Sequence, residues 1–192
     1  MRDVDRRKFV SDKFSDVAYD DRALPIGEEQ TISQPFIVAF MTESLQIEKG
    51  NKVLEVGTGS GFQTAVLTKL GAKVSTIEIN KKLFKESSKR LNDLGYNDIS
   101  YHYGDGNKGI PEQSPYDRIL VTAAPAEIPR DLIDQLAING IMVIPVGNQS
   151  EVQYLYRIKK LNNDEITKDK ILPVYFVPLI LITSDILFSP QG

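Results

Sequence analysis

The chain contains no cysteine. That absence excludes disulfides, thiol catalysis and thiolate metal sites together, and it suits a reducing cytoplasm. Histidine occurs once, as His102. It sits inside a strand-like segment, where a structural role is the expected one. No cluster of residues has metal-ligand spacing, so no metal is expected. Positive charge is not in excess: 23 Lys and Arg stand against 26 Asp and Glu, a net charge of −3, which disfavours nucleic acid as a partner. The basic run Lys81, Lys82, Lys85, Lys89 and Arg90 reads as the solvated face of a helix. Long hydrophobic runs are also missing. The longest, Val174–Ile182, is broken by Pro178 and too short to cross a bilayer. The N-terminal stretch MRDVDRRKFV has no apolar core and does not read as a signal peptide. Repeats, linkers and low-complexity segments are absent. What remains is 192 residues, 41% hydrophobic and 26% charged, the composition expected of a single globular domain, here expected to be monomeric and cytoplasmic.

The pattern along the chain is that of alternating strands and helices. Residues 1–32 are mixed and turn-rich. A helix is predicted from Ser33 as polar cap, with Pro35 in its first turn, Val38, Met41 and Leu45 on one face, and a stop at Gly50-Asn51. Strands are predicted at Lys52–Val56, Lys73–Ile79, Ile99–Tyr103, Tyr116–Thr122 and Gly140–Val146. Helices are predicted at Gly61–Leu70, Asn80–Leu94 and Pro129–Ala137. After Asn148 the alternation stops. Val152–Ile158 and Val174–Leu181 flank the polar stretch Asn162–Asp169 and read as an antiparallel hairpin. The whole is an α/β, Rossmann-like architecture: a seven-stranded, mostly parallel sheet with a C-terminal antiparallel hairpin, as in S-adenosylmethionine (AdoMet) dependent methyltransferases. Residues 1–50 precede the alternating core, 51–147 form that core and 148–192 its hairpin.

The most informative segment is VLEVGTGSG, Val53–Gly61. A buried strand runs into glycines at 57, 59 and 61 and then into a helix, the opening unit of a nucleotide-binding domain. A dinucleotide fingerprint wants its third glycine one position later, where Phe62 stands. Glu55, just before the first glycine, would repel a pyrophosphate but suits a ligand carrying an ammonium and a sulfonium, as AdoMet does. A glycine turn with no ligand is the alternative for the motif taken alone. Glu78 closes the second strand about 20 residues on, where an acid accepts ribose hydroxyls. Asp105, between Gly104 and Gly106, sits at the same sheet edge and suits an adenine amino group; the plain alternative is an Asp-Gly turn.

With these residues placed, the chain resembles the protein-L-isoaspartate O-methyltransferase family from about Arg7 to Leu179. The carrying segments are Ala18–Glu43 (AYDDRALPIGEEQTISQPFIVAFMTE), Val53–Leu67 and Tyr116–Gly147; LPIG..QTISQP is specific to the family. The resemblance implies methyl transfer from AdoMet to the α-carboxylate of L-isoaspartyl residues in aged proteins and peptides, leaving S-adenosylhomocysteine (AdoHcy). The ester then closes to a succinimide, which reopens partly to aspartate. It implies a cofactor site of Thr31, Ile32, Glu55, Gly57, Thr58, Gly59, Ser60, Gly61, Glu78, Gly104, Asp105 and Gly106. It implies a substrate site of Thr31, Ser33, Tyr175, Phe176 and Val177, with Ser33 as the catalytic candidate. The chain departs from the family pattern at Glu29, where glycine is usual, and at Tyr175, where arginine is common. These departures keep two other readings open: a carboxyl methyltransferase with another acceptor, and an AdoMet-binding paralogue of weak activity. A nucleic-acid amino-methylase is disfavoured by Thr122-Ala123-Ala124-Pro125 after the fourth strand, and a nicotinamide dehydrogenase by the glycine spacing and Glu55.

Overall fold

The computed structural model describes residues 3–180. Two 3-10 turns, Arg6–Phe9 and Asp12–Val17, precede a small antiparallel hairpin of β1 (Leu24–Gly27) and β2 (Gln30–Ile32). Helix α1 (Pro35–Ser44) follows. Then come β3 (Lys52–Val56), α2 (Phe62–Lys69), β4 (Lys73–Glu78), α3 (Lys81–Asp93), β5 (Ile99–Tyr103), β6 (Tyr116–Val121), α4 (Arg130–Gln135), β7 (Leu136–Val146), β8 (Gln153–Lys160) and β9 (Ile166–Val174). The main sheet has seven strands in the order β5-β4-β3-β6-β7-β8-β9. Pairings among β3 to β7 are parallel, and β8 and β9 are antiparallel additions. This is the architecture expected from the sequence.

Both faces of the sheet are covered, which is why its central strands are nearly all apolar. Leu54, Val56, Ile119 and Val121 pack on one side with Leu132 and Leu136. Val53, Val74, Leu120 and Val143 pack on the other with Met41, Leu45 and Leu67. Helix α3 buries the stripe Leu83, Ser87 and Leu91, and the Asn80 side chain caps it by accepting from the Lys82 and Leu83 amides at 3.0 Å each. Chain direction across the sheet reverses between β3 and β6. In open α/β sheets that switch point opens a crevice at the carboxyl ends of the strands.

Several boundaries differ from the sequence reading. Helix α1 ends at Ser44 and not at the predicted stop Gly50-Asn51, because Gln46 just past its Leu45 cap turns left-handed at φ 51°. Helix α1 is capped by Gln34, with Pro35 at its first position, so Ser33 is not its cap. Proline at the start of a helix sets the cap as the residue immediately before it. Helix α4 ends at Gln135 because Leu136 is already extended and pairs with Tyr116, so β7 begins four residues before the predicted Gly140. The partner of β8 is Ile166–Val174, not Val174–Leu181. An edge strand has one neighbour and tolerates the exposed Lys168 and Lys170. The more apolar chain after Val174 instead crosses the carboxyl ends of the strands. There Ala124 bridges to Pro178, with the Ala124 amide donating to the Val177 carbonyl and the Leu179 amide to the Ala124 carbonyl, both at 2.8 Å. Leu181, the end of that predicted strand, lies outside the described residues.

Candidate active site

The site is built where β3, β4 and β6 end. Gly57 has φ of +93°, and a Cβ there would lie 2.4 Å from Thr122 Oγ1. Only glycine gives both the left-handed backbone and the close approach. The Thr122 hydroxyl lies 2.7 Å from the Gly57 carbonyl and 3.0 Å from the Val56 carbonyl, tying the end of β6 to the turn. From β4, the Glu78 carboxylate braces the same turn: Oε2 accepts from the Gly59 amide and Oε1 from the Asn80 amide, each at 2.9 Å.

Three connected hollows surround this turn. A narrow cleft of about 150 Å³ runs between the β1–β2 hairpin, Gly57 and Gly59, Glu78, Gly106 and the chain from Val177 to Ile180. A small recess lies between Thr31–Ser33 and Thr58–Ser60, floored by Phe62 and Gln63. An open groove of about 570 Å³ extends from Ser33 past Arg22 and along Val174–Val177. Thr31 and Thr122 line all three, and Ser33 lines the recess and the groove. Because Ser33 is not used as a helix cap, its hydroxyl has no hydrogen-bond partner among the described residues.

The structure thus brings together Thr31, Ile32, Ser33, Gly57, Thr58, Gly59, Ser60, Glu78, Gly106 and the 175–177 segment. Within that segment only Tyr175 projects, 81% exposed. Phe176 is buried, its amide donating to Gln153 Oε1 at 2.6 Å. Four predicted cofactor residues do not line these hollows. Gly61 caps α2, and the Gly104 amide donates to the Glu78 carbonyl at 3.0 Å. Asp105 caps a 3-10 turn, accepting from the Asn107 amide at 2.9 Å.

Glu55 is the largest correction. Its side chain is fully buried beneath the turn, and Oε2 accepts from Thr64 Oγ1 at 2.5 Å and Thr76 Oγ1 at 2.8 Å. Burial pushes its carboxyl up to about 8, against the two threonine hydrogen bonds, which favour the anion. At neutral pH it is mostly an uncharged acid, not the anion that the sequence reading set against a cationic ligand. The sign of its effect on stability follows. The folded state holds a proton that the unfolded chain releases near 4.5, so this group's contribution is full below that pH and declines as pH rises toward about 8. Melting curves of wild type and Glu55→Gln between pH 5 and 8 are expected to diverge, wild type losing stability relative to the variant as pH rises. Parallel curves would show that the folded protein does not retain the Glu55 proton through that range.

Thr122 was missed. It directly follows β6 in the sequence VTAAP, and a polar residue at the end of a strand beside the glycine strand was the available signal. His102 lies apart from the hollows, 3.0 Å from both Ser100 Oγ and Gln113 Nε2. Among the described residues no helix is long and apolar enough to cross a membrane.

A doubly covered parallel sheet with an antiparallel extension, a glycine turn at its switch point and an acid closing the next strand define a nucleotide-binding domain of the Rossmann-like methyltransferase class. The family model described as protein-L-isoaspartate(D-aspartate) O-methyltransferase matches residues 1–183. A protein-L-isoaspartate O-methyltransferase of Gloeobacter violaceus is 50% identical over 93% of this chain and 87% of its own. Among solved structures, one named protein-L-isoaspartate O-methyltransferase superposes with a TM-score of 0.83 at 30% identity, covering 90% of this chain; the chain spans 57% of that structure's length. A Plasmodium falciparum structure, described as a protein-L-isoaspartate O-methyltransferase in complex with S-adenosyl-L-homocysteine, gives 0.75 at 28% identity, over 92% of this chain and 86% of its own. The chain belongs to the protein-L-isoaspartate(D-aspartate) O-methyltransferase family.

Proposed function

We propose that this chain transfers the methyl group of AdoMet to the free α-carboxylate of L-isoaspartyl residues in proteins and peptides. The observation that carries the reading is the position of Thr31–Ser33, which form the partition between the cleft and recess at the glycine turn and the groove along Val174–Val177. A cofactor on one side and a peptide on the other would meet at that partition.

The cleft fits the adenosyl group. A Cβ on Gly106 would lie 2.4 Å from Val56 Cγ1, so the wall there is backbone, and among the described residues no lysine, arginine or histidine lines the cleft to repel a cation. Glu78, at the end of β4, is the acceptor for ribose hydroxyls. When bound, AdoMet supplies a methyl activated by a sulfonium. The acceptor carboxylate is already ionised near pH 7, so the site needs no general base. Opposite charges disappear as sulfonium and carboxylate become thioether and ester. Tight pairing of either charge beforehand would slow the step. The neutral Ser33 hydroxyl therefore orients the acceptor oxygen without neutralising it, and the Thr31–Thr122 walls keep water from the transfer path.

Support for a monomer comes from the sheet edge, where Lys168, Lys170 and Pro173 on β9 oppose edge-to-edge pairing. A cytoplasmic setting accords with the lack of cysteine. The reading is tested with an isoaspartyl peptide and its aspartyl twin under labelled AdoMet. Selective labelling of the isoaspartyl form, with a base-labile ester as product, is expected. Equal labelling of the two would remove the repair assignment.

A further inference from the structure

The tip of the β1–β2 hairpin places two glutamates over the cofactor cleft, both in the left-handed region: Glu28 at φ 52° and Glu29 at φ 57°. With Glu78, three carboxylates line the cleft. Their electrostatic states differ. Glu28 is paired with Lys82 Nζ at 2.9 Å and accepts from Asn80 Nδ2 at 3.3 Å. Glu78 is engaged by the two backbone amides described above. Glu29 has no hydrogen bond or ion pair among the described residues, so it is the carboxylate of this cleft that no described side chain or amide engages.

We propose that Glu29 is a specificity-determining residue that makes the cleft discriminate AdoMet from its demethylated product. The inference rests on the AdoMet reading above and goes beyond it. AdoMet carries a sulfonium and an ammonium against one carboxylate, a net positive charge. Loss of the methyl turns the sulfonium into a thioether, and AdoHcy is a neutral zwitterion. The two ligands otherwise present the same adenosine and amino-acid groups. Contacts to those groups hold both alike, whereas an uncompensated carboxylate favours only the ligand with net positive charge. Such a residue biases the cleft toward the incoming cofactor and against retention of the spent one. Glu29 is solvent-exposed, so the effect is screened and modest, about three-fold in relative affinity at low salt.

The test is calorimetric titration of wild type and Glu29→Gln with AdoMet, AdoHcy and sinefungin, which carries an amine in place of the sulfonium. Glutamine keeps the side-chain size and the demand on φ, so only the charge changes. AdoMet and sinefungin are expected to weaken about three-fold in the variant while AdoHcy stays constant, and the difference should shrink as salt rises toward about 1 M. Equal changes for AdoMet and AdoHcy, or no change for either, would overturn the role of Glu29. Wild-type protein binding none of the three ligands would instead remove the cofactor reading itself. AdoHcy affinity in the variant also reports that the cleft is intact.

Discussion

Ser33→Ala is expected to lower kcat/KM for an isoaspartyl peptide by roughly 100-fold, with AdoHcy affinity and melting temperature close to wild type. Each part has a separate cause. Stability holds because the Ser33 hydroxyl bonds no other group among the described residues and does not cap α1, so its removal breaks nothing in the fold. Cofactor affinity holds because Ser33 lines the recess and the groove but not the cleft between the hairpin and Glu78. Turnover falls because the acceptor carboxylate loses the neutral donor that aims one of its oxygens. Methyl transfer demands a narrow approach to the methyl carbon, and a misplacement of about 1 Å is enough for a loss of this size. Saturation kinetics in peptide at fixed AdoMet, with calorimetry on AdoHcy, separates the effects. A variant with wild-type kcat/KM would show that Ser33 does not orient the acceptor. A variant that loses AdoHcy binding would place Ser33 at the cofactor instead.

Features fixed by local chemistry were legible in the sequence. The glycine turn, the helix that became α3 and the buried parallel strands each follow from spacing within a short window. Features set by neighbours distant in sequence were harder. Thr122 matters because β6 lies beside β3, and a strand order is not written in either strand alone. Glu55 was assigned to the ligand from its distance to the first glycine, but side chains in a strand alternate. Val56 lines the cleft, so residue 55 points to the opposite face, where Thr64 of α2 and Thr76 of β4 enclose it. The β9 error has a similar origin. Apolar content drew the second hairpin strand to Val174–Leu181, yet an outer strand of this sheet keeps its lysines. The apolar stretch buries itself elsewhere, Phe176 against the core and Leu179 beside Gly106. Ser33 was read as both cap and active-site residue; Pro35 moves the cap to Gln34 and leaves the hydroxyl available.

Gly57→Ala should be the most damaging single methyl in the cofactor site. Two penalties combine. At φ +93° an L-residue is strained, and its Cβ would sit 2.4 Å from Thr122 Oγ1. Relief requires Thr122 to rotate or β6 to shift, and rotation gives up the hydroxyl's bonds to the Gly57 and Val56 carbonyls. Together these are expected to cost about 2–4 kcal/mol, a fall in Tm of roughly 5–12 °C for a domain of this size. AdoHcy affinity is expected to drop at least about ten-fold (1.4 kcal/mol), since Gly57 and Thr122 line the cleft together. The double variant Gly57→Ala/Thr122→Ala separates the two penalties. Removing the threonine side chain relieves the clash but not the backbone strain, so the pair should couple, with the double variant more stable than the sum of the single changes. Strict additivity would mean that the two residues do not press on each other, and the close packing of β3 against β6 at the switch point would no longer explain why the turn needs glycine.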